Sequence, residues 1–149
     1  MNNSPPIPRF TFITLGVADM RASIAFYEAL GFARKFRATG EAVAFFDTGA
    51  TAIGLFPWDA LAKDATLPAD PRPAAFRGMT LAWNCNSPEE VDRVLQFAIS
   101  KGATLLKAAH KTDYGGYSGY FRDPDGHPWE VVVAPNITVG DDRRVQLPD

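Results

Sequence analysis

The sequence is poor in cysteine. Among its 149 residues there is one, Cys85, so no intramolecular disulfide can form. Cys85 falls at the end of a predicted strand, and we interpret it as a buried, unreactive thiol.

An excess of charge and long apolar runs are also missing. The net charge is -2 and the basic residues are scattered, which argues against a nucleic-acid or anionic-membrane partner. The first ten residues, MNNSPPIPRF, lack the basic start and apolar core of a signal peptide. No apolar run is long enough to span a bilayer. We therefore predict a cytoplasmic protein without nucleic-acid or membrane partners.

What the chain does contain is typical of one globular domain: 46% of its residues are apolar and 21% are charged. Its first half predicts a strand at residues 10–17 and then a helix, with Asp19 as N-cap and Gly31 as the left-handed stop. Three further strands are predicted at 32–38, 42–47 and 51–56.

The second half repeats this order. A strand at residues 78–85 precedes the capping box Ser87-Pro88-Glu89-Glu90, and Gly102 ends the helix that follows. Strands are predicted at 103–109, 117–122 and 128–134, with a turn at Asp123-Pro124-Asp125-Gly126.

These patterns predict a single α+β domain over residues 1–149, built from two βαβββ modules. The modules span 9–57 and 77–135, joined by a linker at 58–76 with one helical turn and followed by a tail at 136–149 that wraps a partner or hangs free. Two such modules would curl their mixed sheets into a cup with one helix behind each half. An apolar cup is a typical small-molecule site.

Two phrases, FITLGVADMRASIAFYEALGF and GGYSGYFRDPDGHPWEVV, resemble the opening and closing signatures of the vicinal-oxygen-chelate superfamily. This superfamily includes glyoxalase I, bleomycin-resistance proteins and extradiol dioxygenases, and the resemblance covers residues 10–135. It implies paired βαβββ modules, a homodimer and a site inside the cup. The activities it implies include isomerisation, ring cleavage, epoxide opening by thiols and drug sequestration.

The resemblance also implies four metal-ligand positions, which fall here on Phe12, Gly54, Thr80 and Glu130. Only Glu130 matches the pattern, and both histidines, His110 and His127, lie outside these positions. A divalent ion needs several oxygen or nitrogen ligands. We therefore predict no metal and no cofactor.

Glu130 is the main catalytic candidate. On the last strand it should face the cup, whereas Trp129 and Val131 should face the helix. A desolvated carboxylate suits a general base or a hydrogen-bond acceptor for a ligand. The alternative is an ancestral carboxylate satisfied by a tyrosine hydroxyl or by water.

The predicted ligand-binding residues form three groups, each with an ordinary structural alternative. Small polar side chains facing the cup could orient a ligand or bond at strand ends: Thr14, Thr80 and Asn84. Aromatic side chains could form a wall, with Trp58 as a lid, or belong to the core: Phe12, Phe45 and Trp58. Tyrosines in a glycine-rich loop could contact ligand, or the glycines there could simply allow close backbone approach or a bulge: Tyr114, Tyr117 and Tyr120. We predict that His127 is exposed, and a site role for His110 is unsupported.

Three functions remain open. The first is a metal-free protein that binds a small apolar or aromatic molecule. The second is a lyase, isomerase or hydrolase acting on a small carbonyl compound, with Glu130 as base and a tyrosine as acid. The third is a metal-dependent lyase or dioxygenase with an atypical ligand set.

Overall fold

The computed structural model describes residues 6–149. The first half of the chain consists of β1 (Phe12–Val17), α1 (Met20–Ala29), β2 (Ala33–Lys35), a 3-10 turn (Arg37–Thr39), β3 (Ala44–Asp47) and β4 (Ala52–Pro57). The remainder consists of α2 (Trp58–Asp64), β5 (Leu81–Asn84), α3 (Pro88–Ser100), β6 (Thr104–Lys111), β7 (Tyr117–Arg122), β8 (Pro128–Val133), β9 (Thr138–Val139) and β10 (Val145–Gln146).

The strands form two sheets of the same topology. The first has the order β1-β4-β3-β2 and the second has the order β5-β8-β7-β6. In each sheet the outermost pair, β1 with β4 and β5 with β8, is parallel and the other pairs are antiparallel. The predicted α+β class with two βαβββ modules is confirmed.

Local sequence signals position both long helices. The Asp19 carboxylate accepts a hydrogen bond from the backbone N–H of Ala22 at 3.0 Å, as an N-cap does. Ser87 caps α3 through its hydroxyl, which accepts from the Glu90 N–H at 3.1 Å. In a capping box, the Glu90 carboxylate would accept a hydrogen bond from the backbone N–H of Ser87. It accepts instead from the N–H of the preceding residue, Asn86, at 2.7 Å.

Several strands are shorter than predicted, β2 and β5 most of all, and the helix in the linker is longer. Strand β2 ends at Lys35, because Phe36 adopts a left-handed conformation (φ 47°) and the 3-10 turn follows. Strand β5 begins only at Leu81. The linker contains α2, whose seven residues form about two turns rather than one.

The sides of the two sheets that face the helices share one core. Tyr27 of α1 packs against Trp129 of β8 with ring centroids 6.1 Å apart. Phe32 lies 5.6 Å from Trp83 of β5, again between centroids. The modules therefore meet through their helix sides and share one core.

Polar contacts also join the two modules. We call this region the junction, and it consists of α1 and the residues just before it, packed against β8 and residues 123–127. The Asp123 carboxylate accepts hydrogen bonds from the Tyr27 hydroxyl at 2.6 Å and from the N–H groups of Asp125 and His127. The Asp125 carboxylate accepts from Ala18 N at 2.7 Å and from the Ser23 hydroxyl at 2.8 Å. The turn thus binds the start of α1 in the other module.

His127 contradicts its sequence-based prediction. It is only 6% exposed, because it lies in the junction. Its Nδ1 is 3.2 Å from a guanidinium nitrogen of Arg77, and its Nε2 is 2.8 Å from the carbonyl oxygen of Gly16. A guanidinium can only donate, so Nδ1 accepts and the protonated Nε2 donates to Gly16.

The C-terminal tail is bound to its own chain rather than free. Strands β9 and β10 form a short hairpin. The Asn86 side-chain amide donates to Val139 O at 2.9 Å and accepts from Val139 N at 2.8 Å. The Arg143 guanidinium lies 3.8 Å from the Asp47 carboxylate in the first module. No helix within residues 6–149 is long and apolar enough to cross a membrane.

Candidate functional site

Each sheet has a side that faces away from the helices, which we call its open face. Residues paired across neighbouring strands share a face. In the second sheet the register therefore places one row of side chains on the open face: Ala82, Glu130, Tyr120 and Lys107. The next row on the same face contains Asn84, Val132, Ser118 and His110.

A cavity of about 280 Å³ lies on the second open face. It is lined by basic, hydroxyl-bearing and acidic side chains: Lys107, His110, Lys111, Thr112, Asp113, Tyr114, Ser118, Tyr120 and Glu130. Within residues 6–149, neither Lys107, Lys111 nor Glu130 takes part in an ion pair. The cavity therefore presents charged groups that remain available to a ligand.

A bulge in β6 brings Lys107 and His110 to the same face. These residues are three apart, and strict alternation would place them on opposite faces. They nevertheless pair with Tyr120 and Ser118, which are two apart on β7. Gly119 allows this geometry, because a Cβ there would lie 2.6 Å from the Leu95 side chain and 2.9 Å from Lys107 O. The predicted close backbone approach at this glycine is confirmed.

Tyr120 and Glu130 act on each other inside this cavity. Burial raises the pKa of the Tyr120 hydroxyl, and the charge of the nearby Glu130 side chain raises it further. The Tyr120 hydroxyl therefore holds its proton more tightly than a free tyrosine does, and it lies beside the Glu130 carboxyl group.

The first open face carries an apolar cavity of about 380 Å³, lined by Phe12, Lys35, Phe36, Phe45, Phe46, Asp47 and Ala52. Phe45 meets Phe12 edge-on at 5.7 Å and stacks with Phe36 at 6.1 Å, both between centroids. Phe36 is 67% exposed although its φ of 47° is rare for a bulky residue. An exposed aromatic held in an unfavourable backbone conformation points to a role other than stability.

The structure brings only some of the predicted site residues together. Phe12 and Phe45 line the first cavity, whereas Glu130, Tyr120 and Tyr114 line the second. The two cavities share no residue. The two open faces thus carry two separate cavities within one chain.

Three predicted polar residues lie outside the lining of both cavities. The Thr14 side chain lies on the first open face against Gly54, with its Oγ1 3.0 Å from where a Cβ of Gly54 would stand. Thr80 is exposed one residue before β5 begins. Asn84 is partly buried and pairs with Val132.

Tyr117 lies apart from the other two tyrosines. It packs against the core on the helix side, and its hydroxyl donates to the Asp92 carboxylate of α3 at 2.9 Å. The register explains this position, since Tyr117 and Tyr120 are three residues apart on a regular strand and so face opposite sides.

Trp58 is held in place and does not line either cavity. Its indole N–H donates to Ala69 O at 2.9 Å, and its ring packs against Gly16. The guanidinium groups of Arg72 and Arg77 lie 5.2 and 4.9 Å from its centroid. These contacts fit a residue that anchors the linker rather than a lid.

The implied metal positions do not fit a divalent ion. Phe12 and Gly54 offer no side-chain donor, Thr80 is exposed ahead of its strand, and Glu130 supplies one carboxylate. Within residues 6–149, no three side chains of histidine, cysteine, aspartate or glutamate come together as a candidate cluster. Zinc sites use about four ligands and magnesium about six.

Sequence reasoning missed most of the residues that line the two cavities, among them Lys35, Phe36, Lys107 and Lys111. It also left His110 without support. Lysines on strands are ordinarily solvated, and nothing local distinguishes these. A positive φ at Phe36 and the bulge in β6 are set by the fold and have no clear sequence signal.

Known proteins resemble this chain over most of its length. The sequence model of the Glyoxalase/Bleomycin resistance protein/Dioxygenase superfamily matches residues 9–131. A glyoxalase-related enzyme from Fulvimarina pelagi has a TM-score of 0.83 at 30% identity, covering 96% of this chain and 100% of that protein. A family enzyme from Burkholderia phytofirmans has a TM-score of 0.73 at 25% identity, covering 83% and 97%. The metallothiol transferase FosB of Lysinibacillus sphaericus is 28% identical over 118 residues, which is 79% of this chain and 77% of the relative.

Proposed function

We propose, since this chain belongs to the Glyoxalase/Bleomycin resistance protein/Dioxygenase superfamily, that it binds a small organic molecule without a metal ion. The ligand would lie in a cup made by two copies of the chain. The observation that carries this proposal is the separation of the two open faces. Each has a cavity of ligand size, and neither is closed by the other.

A second copy of the chain would close both cavities at once. In a twofold dimer, contacts are reciprocal, so the first open face of each copy can lie opposite the second open face of its partner. Exposed aromatic side chains favour such a cover, because Phe12 and Phe36 are 47% and 67% exposed on the first face. The pairing would produce two equivalent cups per dimer.

Each cup would combine an aromatic wall from one copy with a polar wall from the other. The first face contributes aromatic rings, which suit a flat apolar or aromatic group. The second face contributes charged and hydroxyl groups, which can orient a ligand. We therefore expect a ligand with an aromatic part and a polar part.

The test combines oligomeric state with ligand binding. We expect light scattering to give a dimer for the unaltered protein and a monomer for Phe12→Asp, because a buried unpaired charge opposes association. A fluorine NMR screen of small aromatic compounds should find ligands for the former and at least tenfold weaker binding for the latter. Phe97→Asp is the matched control, since Phe97 is similarly exposed, at 40%, on the outside of α3. A monomeric unaltered protein that still binds ligand would contradict the shared cup.

The Tyr120 and Glu130 pair favours a second candidate, a metal-free lyase, isomerase or hydrolase acting on a small carbonyl compound. Glu130 would remove a proton from the substrate, and Tyr120, whose pKa is raised, would donate one to the developing oxyanion. Turnover of such a compound should fall at least tenfold in Glu130→Gln and in Tyr120→Phe. Added chelator should leave the rate of the unaltered protein unchanged. A rate that survives both substitutions would exclude this chemistry.

A further inference from the structure

We propose that the ligand of the cup is an aromatic oxyanion, a carboxylate or a phosphonate, whose charged group binds to Lys107 on the second open face. This rests on the proposed small-molecule function and adds the ligand's charge. It rests on the row of paired residues in each sheet and on the ammonium groups of Lys35 and Lys107, which have no acidic partner within ion-pair distance among residues 6–149.

The position of Lys107 is the first argument. It stands in the same row as Tyr120 and Glu130 and lines the same cavity. Glu130 lies close enough to Tyr120 for its charge to raise the pKa of that hydroxyl. Within residues 6–149, Lys107 has no acidic partner within ion-pair distance. An anionic group on a ligand would supply the partner that Lys107 lacks.

The donors around Lys107 form the second argument. His110 and Ser118 occupy the next row of the same face, and Lys111 and Tyr114 complete the rim of the cavity. An oxyanion could accept hydrogen bonds from several of these groups. The ammonium groups of Lys107 and Lys111 line the same cavity and would repel a cationic ligand.

The repeat of the modules gives the third argument. In the first sheet the equivalent row contains Thr14, Gly54, Phe45 and Lys35. Lys35 therefore occupies in the first module the place that Lys107 has in the second, and it lines the aromatic cavity. It too has no acidic partner within ion-pair distance among residues 6–149. A cup made from the two faces would hold two such lysines beside an aromatic wall.

Four probes of one shape test the charge preference by calorimetric titration at low ionic strength: benzoate, phenylphosphonate, benzamide and benzylammonium. We expect at least one anion to bind about tenfold or more tightly than benzamide, since a charge-assisted hydrogen bond is gained. Benzylammonium should bind more weakly than benzamide. The comparison of benzoate with phenylphosphonate identifies which oxyanion the cavity prefers.

Substitution of the lysine localises the effect. In Lys107→Met the affinity for the preferred anion should fall about tenfold, to the level of benzamide, while the affinity for benzamide stays unchanged. Lys101→Met, which removes an ammonium from the C-terminal end of α3, should leave all four affinities unchanged. The unchanged benzamide affinity also shows that Lys107→Met remains folded.

Each other outcome overturns the proposal in a distinct way. Equal binding of the anions and benzamide, or a preference for benzylammonium, would leave the small-molecule function intact and remove the anion preference. Anion binding unaffected in Lys107→Met would place the anion elsewhere. Absence of binding by all four probes would count against both this inference and the proposed function of the cup.

Discussion

The junction and the open faces use the same kinds of residues in opposite ways. In the junction the Asp123 carboxylate has three hydrogen-bond donors and lies beside buried aromatic rings. On the second open face Glu130 has Tyr120 as its neighbour and borders a cavity. Tyr27 is fully buried in the junction, whereas Phe36 is largely exposed on the first open face.

The difference separates stability from function. Buried polar groups whose hydrogen bonds are all made hold a fold in one arrangement. Charged groups and aromatic rings left without partners add little to folding but remain available to bind something else. The free energy of unfolding should therefore depend mainly on the junction, and ligand binding mainly on the open faces.

The largest expected effect is a difference in stability between two variants that each lack one carboxylate: Asp123→Ala in the junction and Glu130→Gln on the second open face. Asp123→Ala leaves the Tyr27 hydroxyl and two N–H groups without an acceptor, so the free energy of unfolding should fall by about 3 kcal/mol. Glu130→Gln should change it by less than about 0.5 kcal/mol. Urea denaturation measures both. Similar losses in the two variants would remove the distinction between the regions.

A smaller effect is expected at Phe36. Asparagine adopts positive φ values more readily than leucine or phenylalanine. The free energy of unfolding should therefore be about 1 kcal/mol higher for Phe36→Asn than for Phe36→Leu. Both variants lose the aromatic ring, but only leucine keeps the backbone strain of a positive φ. Both variants should lose ligand affinity. If Phe36→Asn bound ligand as well as the unaltered protein, the aromatic wall would have no role in binding.

The smallest effect concerns stability at alkaline pH. Burial, with the charge of Asp123, raises the pKa of Tyr27 well above its usual value near 10. The unfolded chain loses this proton first as pH rises, so the stability due to the protonated Tyr27 is intact at neutral pH and decreases above about pH 10.

Denaturation at a series of pH values checks this expectation. Because of Tyr27, the free energy of unfolding should be lower by about 1 kcal/mol at about pH 10.5 than at neutral pH. This decrease should be absent in Tyr27→Phe. Tyr120→Phe removes a less buried tyrosine whose pKa is also raised. It should reduce the pH dependence of the free energy of unfolding less than Tyr27→Phe does. An equal reduction in the two variants would contradict the contrast between junction and open face.

The fold was predictable where the signals are local. Asp19 and Ser87 cap their helices as their residue types indicate, and Gly31 and Gly102 have φ values of 93° and 103° after the helix ends. Strand β7 has the predicted bounds. These features depend on a few neighbouring residues, so one sequence is enough to identify them.

The candidate site was less predictable because it depends on distant parts of the chain. His127 is buried by contacts with Gly16 and Arg77, far from it in sequence. The alignment of Lys107 with His110 depends on a bulge, and alternation alone gives the wrong face. Glu130 and Tyr120 lie on the same face, as alternation along their strands indicates, because β7 and β8 pair without interruption.

The junction, rather than the linker, is what holds the two modules together. Residues 71–80 are exposed throughout, so a protease would cleave most readily there. Both resulting fragments would still share the core around Tyr27 and Trp129. Coexpressed as separate polypeptides, the two halves should therefore reassociate by fragment complementation, and circular permutation through this segment should preserve the fold.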